Sequence, residues 1–237
     1  MKYRWSFIFT ALLTAISCAA ADYPSEKELW NSFSRTPGSR VHVNRVFVNP
    51  GREVTKKMSQ REKRAVVSFK ERNAARVSAR RKTLDRIWSD FAPGEKALIL
   101  SEMYDLFHGK LYRATVITQR TMYVAEINEN QEKGDVYRKY ELPHDTVKLL
   151  MSRAAEITPQ DGSCEIVDST TYPAFVSVKD KNGKWITAVY VSSNPNWKKP
   201  PQERAEYFAK TAKIMNFLSV VNFINETREI PQPIIKK

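Results

Sequence analysis

The sequence predicts a mixed α+β fold, with a long basic helix leading into antiparallel sheet on which further helices pack. Three observations carry this expectation. Ser59 to about Phe91 has apolar residues at helical spacing, and no Gly or Pro falls between Gly51 and Pro93. From Leu111 the pattern shifts to short, partly alternating segments divided by turn residues. Each group of such segments is followed by a stretch of helical period, ending near Glu156 and Asn225. The body therefore reads as β-β-β-α twice, from Leu111 to Glu156 and from Ser163 to Asn225. This is an order of elements without a residue-level repeat, and it fits one continuous sheet or two.

In chain order, residues 1–21 have the form of a secretory leader. Lys2 and Arg4 precede the apolar run Phe7 to Ile16, and Ala19-Ala20-Ala21 offers a small-residue exit. The run is shorter than the roughly 20 residues needed to span a bilayer. Ala15-Ile16-Ser17-Cys18 resembles the lipobox of bacterial lipoproteins, with Ala15 where Leu is usual; the resemblance implies a lipid on Cys18. Cleavage after Ala21 would instead remove Cys18 with the leader, and is the preferred reading. Either way Cys164 is left without a thiol to pair with, so the exported fold is expected to have no disulfide.

The charge is unevenly placed. The chain carries a formal +13, and between Arg35 and Arg86 there are 16 basic and 4 acidic residues. The remainder is close to balanced, which suggests a basic module joined to an ordinary globular body. Residues 22–58 read as a basic, extended arm. Within it Glu26 to Phe33 suits a short helix carrying Leu29, Trp30 and Phe33, and Val41–Val48 suits one strand between two Pro-Gly turns.

Ser59-Gln60-Arg61-Glu62 has the pattern of a capping box, which starts the long helix. Val66, Phe69, Val77, Leu84, Ile87, Trp88 and Phe91 supply its apolar stripe, interrupted at Asn73. Such a helix is roughly 50 Å long at 1.5 Å per residue. Arg72, Arg76 and Arg80 fall four apart and stack in one row, with Arg64 and Arg81 adding to the cationic surface. Like charges at that spacing cost about 0.2–0.5 kcal/mol per pair. The ordinary explanation, given the greater weight, is a solvated face or pairing with acidic residues of the same chain. The functional explanation is an external anion. Pro93-Gly94 then leads to a second helix over Ala97 to Phe107, stopped by Gly109, so that residues 59–109 form an αα-hairpin.

In the body, residues 111–225, strands are expected at Tyr112–Thr118, Met122–Ile127 and Val136–Leu142. Asp145 is expected to cap the helix that follows. Asn182-Gly183 is the strongest hairpin signal and, placed at the tip, sets Val178 opposite Thr187 and Val176 opposite Val189. After Pro200-Pro201, Glu203 to Asn225 forms a largely buried helix, and residues 226–237 form a proline-punctuated tail.

No catalytic, cofactor or metal residue emerges. The seven glycines occur singly, which excludes a phosphate-cradling loop and a G-x-S-x-G elbow. His42, His108 and His144 have no metal-type spacing. His144-Asp145 and Cys164 are the nearest approach to a catalytic group, at low weight. Trp197, Lys198 and Lys199 form a loop suited to sugars or anionic groups, against the heavier reading that Trp197 folds back on the core. The expected function is an exported or cell-envelope protein, not an enzyme. Its basic arm and helix would engage an anionic envelope component, polysaccharide or acidic protein, or the periphery of a membrane. A structural component that self-associates through the long helix is the alternative, and a hydrolase with a hidden site the second. The leader argues against nucleic acid.

Overall fold

The computed structural model describes residues 22–35, 40–43, 46–48, 54–104, 111–128, 134–158, 165–166, 172–192 and 201–227. Residues 1–21 with Cys18, and also His108, Cys164 and Trp197, Lys198 and Lys199, lie outside the described residues. The elements in order are α1 (Glu26–Arg35), β1 (Arg40–Val43), β2 (Val46–Val48), α2 (Gln60–Ser89) and β3 (Ala97–Tyr104). Then come β4 (Leu111–Thr118), β5 (Thr121–Asn128), β6 (Val136–Glu141), α3 (His144–Ala155), β7 (Glu165–Ile166), β8 (Tyr172–Lys179), β9 (Trp185–Ser192) and α4 (Pro201–Thr227).

Six strands form one antiparallel sheet in the order β6-β5-β4-β3-β8-β9. Both faces are covered. On one, Leu29, Trp30 and Phe33 of α1 and Ala65, Val66, Phe69, Leu84 and Ile87 of α2 pack on Leu100, Val116, Tyr123, Phe175 and Val189. On the other, Val147 and Leu150 of α3 and Ile214, Phe217 and Val221 of α4 pack on Ile99, Ile117, Met122, Val124 and Val176. The result is an α/β/α sandwich with two cores separated by the sheet.

This layering corrects the expected αα-hairpin. Residues 97–104 form β3, a central strand, in place of a second helix. Ala97-Leu98-Ile99-Leu100 is apolar at every position because helices cover the strand on both sides. A short run of that kind does not distinguish strand from buried helix. A register irregularity between Ala97 and Ile99 lets Leu98 and Ile99 both join the α3/α4 core. The chain leaves α2 through the Pro93-Gly94 turn, where Gly94 has φ 79°.

Three smaller corrections follow from local chemistry. Val41–Val48 is two strands, since Val43 pairs with Val46 and the chain reverses between them. β1 also pairs in parallel with β7 in a small separate sheet, so β7 stands apart from the six-stranded sheet that holds β8 and β9. At the β8–β9 hairpin, Val178 faces Ile186 and Val176 faces Ala188, one residue away from the expected register. The Asp180 carboxylate accepts from the backbone N–H groups of Asn182 and Lys184, at 2.8 Å each. The Gly183 N–H donates to the Asp180 carbonyl at 2.9 Å, and Gly183 has φ 77°. The loop is thus three residues closed by Asp180, not a two-residue Asn-Gly tip. That single slip sends Val189 to the α1/α2 core and Ala188 to the other. At α3, the N-cap is Pro143 and has no side-chain cap bond; Asp145 sits inside the first turn.

Candidate anion-docking face of the long helix

Helix α2 begins as its sequence requires. The Ser59 hydroxyl accepts from the Glu62 N–H at 3.2 Å, and the Glu62 carboxylate accepts from the Ser59 N–H at 2.7 Å. Its inward stripe runs Ala65, Val66, Phe69, Arg76, Arg80, Thr83, Leu84 and Ile87, all buried. Val77, expected in that stripe, is 39% exposed. From Phe69 the steps to Arg76, Arg80, Leu84 and Ile87 are seven, four, four and three, so the two arginines lie on the same face as the apolar residues. The arginine row is therefore not a single outward surface. Arg76 is 8% exposed and Arg80 4%, while the Arg72 side chain lies outside what the structure describes.

Arg80 is held by a buried network. Its Nε donates to Glu102 Oε1 at 2.6 Å, and a terminal nitrogen donates both to Glu102 Oε2 at 3.0 Å and to the Pro24 carbonyl at 2.6 Å. Glu102, fully buried in β3, also accepts from the hydroxyls of Tyr104 and Tyr112 at 3.0 and 2.7 Å. Burial works against the Arg80 cation, but the Glu102 carboxylate and the two tyrosines outweigh it, and its pKa is raised. Burial, then the Glu102 charge, pushes both Tyr104 and Tyr112 well above the ordinary phenol value. The guanidinium sits 5.4 Å from the centre of the Tyr23 ring. The Tyr23 hydroxyl in turn donates to Asp85 on α2 at 2.9 Å. The network fastens residues 23–24, α2 and the sheet together. Buried, and with its Nε and one terminal nitrogen committed to Glu102 and Pro24, Arg80 is not available to an external anion.

The outward side of α2 differs. Arg61, Arg64, Lys70, Arg81 and Lys82 are exposed, preceded by exposed Lys56 and Lys57. Arg81 lies 3.8 Å from Asp85 with its side chain 81% exposed, a pairing of little energetic weight. Exposed Glu71 is the other acidic residue on this side. Between the cations Val67 and Val77 reach the surface, as does Ala74. At the C-terminal end the Arg86 guanidinium stacks 3.6 Å over the centre of the Tyr137 ring, which turns it toward β6.

Of the residues the sequence singled out, the structure thus places Arg64 and Arg81 outside and Arg76 and Arg80 inside. Leu84 and Ile87, which a self-associating helix would present to another copy, are buried against the chain's own sheet, with Trp88 packed on the same core. His144 and Asp145 are exposed at the start of α3. Among the described residues no cluster of His, Cys, Asp and Glu is placed to hold a metal ion, and no helix is long and apolar enough to cross a membrane. The sequence reading missed Glu102 and its two tyrosines. An acidic residue inside Ala97-Leu98-Ile99-Leu100-Ser101-Glu102-Met103-Tyr104 is the signal that could have found them, because a carboxylate in an apolar strand needs a buried cation. Comparison with protein families, curated proteins and solved structures finds no match to this chain.

Proposed function

We propose that this is an exported, non-enzymatic protein that docks on an anionic membrane surface through the outward face of α2. The observation that carries the reading is the exposed set Arg61, Arg64, Lys70, Arg81 and Lys82 on one helix that is anchored rigidly to the sheet by its other side. Arg64 and Lys82 are five turns apart in one row of the helix, about 27 Å at 1.5 Å per residue, with Arg61, Lys70 and Arg81 to either side of it, a convex surface and not a groove. A planar surface of headgroups meets such a row along its length, whereas a single polyanionic chain is better held in a cleft. Val67, Ala74 and Val77, lying between the cations, suit the headgroup boundary. The leader supports delivery to the cell envelope.

The test is co-sedimentation of the mature protein with vesicles of anionic or zwitterionic lipid, alongside a sulfated polysaccharide. Binding to anionic vesicles alone, weakening as salt rises, supports membrane docking. Binding to the polysaccharide and not to vesicles would transfer the face to a different partner, and binding to neither at low salt would remove the docking role.

A further inference from the structure

We propose that Arg113 and Arg138, on the sheet face opposite α2, form a binding site for a small carboxylate or phosphate anion. The strand pairings put Ser101 beside Thr115, Arg113 beside Glu126, and Val124 beside Arg138. With side chains alternating along each strand, Ser101, Arg113, Thr115, Glu126 and Arg138 share the face that carries Ile99, Ile117, Val124 and Tyr140. Two guanidinium groups on a face otherwise built into an apolar core call for a reason.

Glu126 supplies only part of one. A terminal nitrogen of Arg113 donates to Glu126 Oε1 at 2.8 Å, and a terminal nitrogen of Arg138 lies 3.6 Å from the same oxygen. Among the described residues two cations thus address one carboxylate, leaving a positive charge in excess. Arg113 Nε is buried and, among the described residues, has no hydrogen-bond partner. A buried N–H without an acceptor is costly to leave so, which sets Arg113 apart from an ordinary surface arginine; an anion would meet the exposed parts of the Arg113 and Arg138 guanidinium groups and not this atom. The Arg113, Glu126 and Arg138 side chains are 30%, 20% and 25% exposed. A small solute can reach them, yet they are desolvated enough for charge-assisted bonds to count. Ser101 and Thr115 place two buried hydroxyls on the same face. The ligand class is therefore a compact oxyanion, recognised by guanidinium groups with hydroxyl support.

Calorimetric titration of the full chain with inorganic phosphate, acetate and succinate, in low-chloride buffer, tests this and separates phosphate from carboxylate. Saturable single-site binding of one of them is expected. R113K, which keeps the charge but loses the planar guanidinium, should weaken it by about tenfold or more, with an unchanged thermal unfolding transition. If R113K does not fold, R138Q leaves the Arg113–Glu126 pair intact and takes its place, again with weaker binding expected. Absence of saturable binding by all three anions, or wild-type affinity in the folded variant, overturns the site.

Discussion

At the scale of single residues, two neighbouring arginines on α2 do opposite work. Arg80 is buried and bonded to Glu102 and the Pro24 carbonyl, while Arg81 stands in solvent. Removing one partner of a buried pair leaves the other charge uncompensated, so Arg80→Met is expected to destabilise the fold by about 3–5 kcal/mol. Arg81→Met should cost less than about 1 kcal/mol. Urea unfolding of the two variants checks the contrast, and equal losses would contradict it. The tyrosines around this network set an alkaline limit. Burial, followed by the bond to Asp85, raises Tyr23 from 10.0 to about 12, and Tyr104 and Tyr112 are raised as well. The unfolded chain loses these protons near pH 10 while the folded chain keeps them. Stability is therefore fully present below about pH 10 and falls as pH rises toward 12. Thermal unfolding across pH 8–12 measures this, and the double variant Tyr104→Phe/Tyr112→Phe should flatten the decline.

At the scale of elements, the parts that were legible in the sequence are those fixed by neighbouring residues. The Ser59–Glu62 capping box formed as its spacing requires, and Ser59→Ala should cost about 1 kcal/mol of stability in the same unfolding experiment. Leu29, Trp30 and Phe33 are buried on α1, since their three- and four-residue steps leave one face to hide. What was not legible depends on what covers an element. β3 reads as a helix when taken alone, because helices cover both its faces and erase the alternation. Arg76 and Arg80 look solvated until Glu102 is known to lie beneath Arg80. The β8–β9 register turned on one side chain, Asp180, competing with the Asn-Gly signal. Asp180→Ala should release the Asn182 and Lys184 amides to faster hydrogen exchange, seen by NMR. Unchanged protection would mean the register is held by strand packing instead.

At the scale of the whole molecule, the sheet divides two differently built layers. One side carries α1 and α2, with a charge network locking α2 in place and a cationic surface beyond it. The other carries α3 and α4, with the Arg113–Glu126–Arg138 cluster on the same face of the sheet. Because α2 is held by Arg80 and its buried apolar stripe, variants on its outer side can change charge without disturbing the core. The most direct measurement is the affinity of the protein lacking residues 1–21 for anionic vesicles across a salt series, for wild type and for Arg64→Glu/Lys70→Glu/Lys82→Glu. Each cation near such a surface contributes about 1 kcal/mol. The triple variant is thus expected to bind about a hundredfold more weakly or worse, with a flatter salt dependence and an unchanged unfolding midpoint. Wild-type affinity and wild-type salt dependence in that variant would contradict docking through α2.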